Sequence, residues 1–207
     1  MVRNRDNWLK FNFFSWYISR RVKKHFYKIE YNPIAINSDK SVLLIANHYS
    51  WWDGFLLFHL NKLLFKKKFH VMILEETIIK HGFLKYVGSF SVSKGSRSIL
   101  ETLKYAGNLL NDPQNLLLIF PQGNLSSNFT NTVSFEKGLG KIIEMSNQKF
   151  QYVFAASFME HFSEPKPTAF IYLKTEEVAN FANLAAVQLS YQQHYHQSKI
   201  VQTAIVK

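Results

Sequence analysis

The stretch SVLLIAN at residues 41–47 constrains this chain more than any other. It is apolar, short and bounded by polar residues, which reads as a buried strand rather than a helix. Residues 52–65 follow with Phe55, Leu56, Phe58, Leu60, Leu63 and Leu64 supplying the apolar faces of a helix, which the basic residues 66–68 close. The same alternation continues, with strands expected at 70–74, 89–92, 116–120, 152–157 and 168–173 and helices near 97–111 and 134–147. Asn111-Asp112-Pro113 ends the first of these helices, because a residue preceding proline avoids the helical region. The prediction is a single α/β domain, with a central mixed, largely parallel sheet flanked by helices. Residues 176–207 are expected to add a helix on the sheet edge. At 207 residues the chain suits one domain with a real core.

Charge narrows the partners. With 25 Lys and Arg against 14 Asp and Glu, the net charge of +11 draws nucleic acid, an anionic membrane leaflet or phosphorylated ligands. The absence of Cys excludes a thiolate nucleophile, a disulfide framework and Cys-ligated zinc. No apolar run reaches the roughly eighteen residues that a bilayer span requires. Residues 8–27 place Trp8, Phe11, Phe13, Phe14, Trp16 and Tyr17 just before Arg20, Arg21, Lys23 and Lys24. Aromatics leading into a basic cluster suit a membrane interface, although a core-packing first helix with a solvated basic end has the same composition. The whole-chain charge favours the membrane. Residues 1–30 are therefore read as an interfacial helical segment, residues 31–207 as the α/β domain, and residues 66–68 as a second basic contact. His194 and His196 lack a third ligand nearby, so no metal is expected and the tail around them is read as solvated.

The chemistry concentrates at residues 47–53, NHYSWWD. On one continuous helix His48 and Asp53 would point about 140° apart. Across a strand-to-helix turn they can meet, so that Asp53 accepts a hydrogen bond from one imidazole nitrogen and leaves the other as a base. Such a pair is the orienting part of a catalytic triad without its serine, and it can deprotonate a substrate hydroxyl directly.

Asn47, His48, Ser50 and Asp53 match the Asn-His-x-Ser-x-x-Asp block of the glycerophospholipid (lysophospholipid) acyltransferase family, which the sequence resembles. The family's second block, a glycine and apolar residues leading to a basic residue, corresponds to residues 88–94, with Lys94 at the usual Arg position and Arg97 nearby. Its third block, Phe-Pro-Glu-Gly-Thr, is similar to Phe120-Pro121-Gln122-Gly123-Asn124, with Ser126 after it, and Phe135-Glu136-Lys137-Gly138 resembles the stretch that often follows. Three blocks in order over residues 40–160 are far more specific than one. The resemblance implies a hydrophobic acyl tunnel, acyl-CoA or acyl-carrier protein as co-substrate with no further cofactor, and a glycerolipid-like acceptor with a free hydroxyl. It further implies a peripheral enzyme on the cytoplasmic face of the inner membrane, in contact with anionic lipids.

The departures fall where the family's acceptor is held. Lys94 lacks the bidentate fork of Arg, and Gln122 keeps the shape of Glu without its charge. An anionic headgroup and a neutral, sugar-like acceptor bound through the Gln122 amide both fit. The acceptor set implied by the resemblance is Asn47, Ser50, Lys94, Arg97, Gln122, Gly123 and Asn124, with His48 and Asp53 catalytic. Residues 120–123 carry a turn, with Gly123 in a type II geometry or presenting backbone amides to a phosphate. The fourth block is expected as a strand at 152–157 that lacks the family's proline. Two readings from other classes compete. A nucleic-acid-binding protein would show Arg interleaved with its aromatics, which this chain does not. A non-catalytic lipid-binding relative would have no use for both His48 and Asp53.

Overall fold

Every residue of 41–46 is buried, and a strand with no solvent face belongs inside a sheet covered by helices on both sides. The computed structural model describes Val2, residues 7–92 and residues 99–206. Its strands are β1 (Lys28–Tyr31), β2 (Ser41–Ala46), β3 (Lys68–Leu74), β4 (Ser89–Val92), β5 (Asn115–Ile119), β6 (Phe150–Glu160) and β7 (Thr168–Glu177). They form a seven-stranded sheet in the order β1-β7-β6-β2-β5-β3-β4. From β6 through β2 and β5 to β3 and β4 all pairings are parallel, whereas β7 returns antiparallel to β6 and carries β1 parallel to itself. The carboxyl ends of five strands thus share one edge, where ligands bind in open parallel sheets.

Helices α1 (Trp8–His25) and α2 (Asp53–Leu60) cover one face. There Val42, Leu44 and Ala46 of β2 share a core with Ile18, Val22 and Leu56. Helix α3 (Glu75–Lys80) and a 3-10 turn at Gly82–Tyr86 link β3 to β4. The other face carries α4 (Ile99–Leu109), α5 (Gly138–Glu144) and α6 (Leu184–Thr203), where Leu43 and Ile45 pack with Leu103, Ile142 and Tyr191. Alternate β2 side chains therefore feed two separate cores, as the period of two requires.

Helix α6 differs from expectation. It lies on the sheet face, with Val187, Tyr191 and Tyr195 enclosed, so the segment is a packed helix rather than a solvated tail, with His194 half-buried and His196 on its exposed side. His194 bonds the Tyr172 carbonyl through Nε2 at 3.0 Å. The aromatic helix α1 has two faces. Ile18 and Val22 are core, while Trp8 and Leu9 are more than two-thirds exposed and Phe13 and Trp16 more than half. Asn7 caps it by accepting the Lys10 N–H at 2.9 Å. Residues 66–68 sit where β3 begins, at the amino edge of the parallel strands and opposite the edge where β2 ends. Lys67 Nζ donates to the carbonyls of Pro113 and Ser38 there. Among the described residues no helix is long and apolar enough to cross a membrane.

One glycine shapes this end of the sheet. Gly88 has φ 93°, and a Cβ on it would lie 1.9 Å from the Phe69 carbonyl oxygen. A side chain would force β4 away from β3, since that backbone cannot yield cheaply.

Candidate active site

His48 leaves β2 three residues after Ile45, and Gln122 leaves β5 three residues after Ile119. Ile45 and Ile119 are partners in the parallel ladder. The register therefore delivers the first and third sequence blocks side by side at the carboxyl edge. Gln122 Oε1 accepts the His48 N–H at 2.8 Å, and the Ser126 N–H donates to the His48 carbonyl at 2.8 Å. The Phe120 ring stacks on the imidazole, with centroids 4.1 Å apart and planes at 17°. The histidine is thus held on both backbone groups and one ring face.

Asp53 fixes the ring itself. Its Oδ2 lies 2.9 Å from His48 Nδ1 and also accepts the N–H groups of Tyr49 at 2.8 Å and Ser50 at 2.9 Å. An ionised Asp53 carboxylate accepts only, so a neutral His48 ring paired with it would carry its proton on Nδ1 and keep the lone pair on Nε2. Nε2 makes no hydrogen bond among the described residues, and His48 lines a cavity. Asp53 is 1% exposed, and its Oδ1 has no partner among the described residues. Burial raises its carboxyl above the usual range, while the His48 hydrogen bond and the Ser50 and Tyr49 amides pull it back down.

The other site residues divide by geometry. Asn47 is buried, with its amide accepting the Ser157 N–H at 2.8 Å and donating to the Ser157 carbonyl at 2.9 Å, so it extends the ladder between β2 and β6 by one rung. Ser50 Oγ accepts the Trp52 N–H at 3.1 Å, in the turn that starts α2. Both side chains shape the His48 loop. Gly123 has φ 65° and closes the turn by donating to the Phe120 carbonyl at 3.2 Å. Its positive φ stands at the fourth turn position, whereas a type II turn wants it at the third. Gly123 and Asn124 line the cavity together with Trp51 and Leu125. Lys94 and Arg97 lie outside the described residues. Phe120 was legible as the first residue of the third block, but its stacking on the His48 ring was not.

The cavity measures about 650 Å³ and is walled mostly by aliphatic and aromatic side chains, with His48, Thr77, Ser89, Asn124 and Glu136 among its polar lining. Sites of about 300–1,000 Å³ take small organic ligands. Phe55, Phe58, Leu84 and Val87 form part of its wall, and Ile18 of α1 contributes from above. Among the described residues no group of three His, Cys, Asp or Glu side chains could hold a metal ion.

A family model described as Acyltransferase matches residues 25–157. No curated protein sequence matches the chain. In fold it is similar to the crystal structure of the 1-acyl-sn-glycerophosphate (LPA) acyltransferase PlsC from Thermotoga maritima, with 14% identity and a TM-score of 0.66 over 98% of this chain and 85% of that one.

The buried Asp53 charge sets a pH dependence of stability. Because its folded-state carboxyl binds a proton more tightly than the unfolded one, the wild type is expected to lose stability relative to Asp53→Asn as pH rises from below the unfolded value through the folded value. Above that range the difference becomes constant. Urea denaturation of both proteins across acidic to neutral pH measures it, and a wild type that gained stability relative to Asp53→Asn with rising pH would contradict the assignment.

Proposed function

Because this chain belongs to the acyltransferase family, we propose that it moves a fatty acyl group from a thioester donor, acyl-CoA or acyl-carrier protein, to the hydroxyl of a lysophospholipid or related lipid. The observation that carries this reading is a histidine ring held by Asp53 and Phe120, with no hydrogen-bond partner on Nε2 among the described residues, lining an apolar cavity of about 650 Å³. An acyl chain needs such a cavity, and a hydroxyl nucleophile needs such a base.

In the proposed reaction the acceptor O–H donates its proton to His48 Nε2 as its oxygen attacks the thioester carbonyl. The tetrahedral oxyanion collapses with cleavage of the C–S bond, and the thiolate takes the proton back from the imidazolium. An ester and a free thiol result, with no acyl-enzyme. Asp53 stabilises the transient imidazolium and keeps the tautomer. Backbone amides of the turn after β5 are assigned to the oxyanion. Gln122 positions His48 through its backbone, while Gly123, Asn124 and the basic residues Lys94 and Arg97 are assigned to the acceptor head. The similarity in fold to an enzyme described as acting on 1-acyl-sn-glycerophosphate makes an acylated glycerophosphate one acceptor to test.

The enzyme is further proposed to work as a peripheral protein at a membrane, on the cytoplasmic face. Supporting this, α1 exposes Trp8, Leu9, Phe13 and Trp16, carries Lys10, Arg20, Arg21, Lys23 and Lys24, and contains no acidic residue. Such a helix lies in an anionic interface. Residues 66–68 belong to the edge opposite the cavity mouth and are left out of this contact.

His48→Ala is expected to reduce thiol release from palmitoyl-CoA, with membrane lipid extract as acceptor, to background, and Asp53→Asn to slow it by about 10²–10⁴-fold. Near-normal turnover in folded His48→Ala protein would sink the mechanism. Replacing Trp8, Phe13 and Trp16 together by Ser leaves the core untouched and should weaken sedimentation with phosphatidylglycerol vesicles about a thousandfold, since three rings withdrawn from the interface at about 1.5 kcal/mol each total about 4.5 kcal/mol. Unchanged binding would remove α1 from the membrane contact.

A further inference from the structure

The loop that follows β5 turns its backbone inward. Its four consecutive carbonyls at residues 129–132 all accept hydrogen bonds from within the protein. Lys199 Nζ donates to the Phe129 and Thr130 carbonyls and to Asn131 Oδ1, each at 2.9 Å, which uses all the N–H groups an ammonium has. Tyr195 donates to the Thr130 carbonyl at 3.1 Å, Gln192 Nε2 to the Asn131 carbonyl at 2.8 Å, and Thr130 Oγ1 to the Thr132 carbonyl at 3.1 Å. Amides of the loop are treated likewise. The Ser126 N–H reaches the His48 carbonyl, the Phe129 N–H the Ser127 hydroxyl, the Thr130 N–H the Ser127 carbonyl, and the Val133 N–H Gln192 Oε1. A loop at the surface can leave such groups to water. This one is held instead by Gln192, Tyr195 and Lys199 of α6.

The side chains run the other way. Phe129 is 84% exposed and Leu125 58% exposed, and residues 124–133 include no charged residue. Leu125 also lines the His48 cavity, so the cavity wall reaches the surface in this loop. Backbone groups satisfied from inside, with apolar side chains outside, are what an environment poor in water demands, because an unpaired amide or carbonyl is costly there.

We propose that residues 125–133 form a second membrane contact, in which Phe129 and Leu125 enter the interfacial layer of a lipid bilayer. An uncharged loop offers nothing to pair with the charges of a carrier protein, whereas an exposed aromatic ring suits the headgroup level and the net charge of +11 draws the molecule to an anionic leaflet. Ile18 of α1 lines the same cavity as Leu125, so both contacts adjoin one site. The loop thereby sets the wall of that cavity against the bilayer. This deepens the peripheral reading and rests on it.

The chain has no Cys, so Phe129→Cys takes a single environment-sensitive fluorophore; Ser38→Cys, exposed at the amino edge of the sheet, is the reference. With phosphatidylglycerol vesicles the label at 129 is expected to shift its emission to the blue and to be quenched by nitroxide-bearing lipid, while the label at 38 does neither. In unlabelled protein, Phe129→Asp is expected to weaken sedimentation with the same vesicles about tenfold or more and to leave thermal unfolding unchanged, since the ring is outside the core. A label at 129 that keeps its aqueous emission on vesicles that sediment the wild type would overturn the proposal and leave α1 as the contact. So would a blue shift with acyl-carrier protein and none with vesicles. Wild-type protein that sediments with no vesicle would instead overturn the peripheral reading itself, and the loop contact with it.

Discussion

A carboxylate with almost no solvent contact is the constraint on which this structure turns. Asp53 holds a charge at the first position of α2, in a place where an unpaired ion is very costly. Three N–H groups converge on its Oδ2, two of them from the backbone of the loop that leaves β2. That convergence dictates the loop. Tyr49 and Ser50 must turn their amides inward, His48 must present Nδ1, and the helix must start at once. Burial nevertheless outweighs these bonds and raises the carboxyl, so the group is held at some expense of stability. Proteins accept such local conflicts at functional sites and offset them elsewhere.

The offset comes from parallel strand pairing. Leu43, Leu44 and Ile45 are completely buried, and their pairing with Leu117, Leu118 and Ile119 sets the position of everything emerging beyond them. His48 and Gln122 meet because both lie three residues past one ladder pair, and Asn47 meets Ser157 because it continues the ladder on the other side. The site is thus an extension of the sheet, with side-chain amides replacing backbone rungs. Beyond the last of these pairs the strand ends, among them Ile73, Leu74 and Ile119, line the cavity.

The alternation of short apolar runs with helical ones gave the α/β class, because fully buried parallel strands need continuous apolar stretches. The meeting of His48 and Asp53 was legible from their spacing at a strand-to-helix turn. Other features were hidden for physical reasons. Strand β1, KIEY, is four residues long with an exposed Lys and Tyr at its ends, and owes its place to pairing with β7. Helix α6 has nearly equal polarity around its circumference, which concealed that Tyr191 and Tyr195 are core. Gln122 drew attention as a lost charge, while its contact is the His48 backbone. A Glu could accept that same N–H through a carboxylate oxygen. Asn47 and Ser50 belong to a block that reads as chemistry, yet their side chains build the loop that the chemistry needs.

The central claim is that Asp53 fixes the His48 tautomer and leaves Nε2 as an available base. Long-range proton–nitrogen correlation spectra of protein labelled with nitrogen-15 at histidine, assigned with His48→Ala, observe the two ring nitrogens directly. At a pH where the ring is neutral, the account predicts a protonated Nδ1 and a Nε2 with the resonance of a bare, pyridine-like nitrogen, and a shift away from that pattern in Asp53→Asn. A His48 ring protonated on Nε2 in the wild type would contradict it.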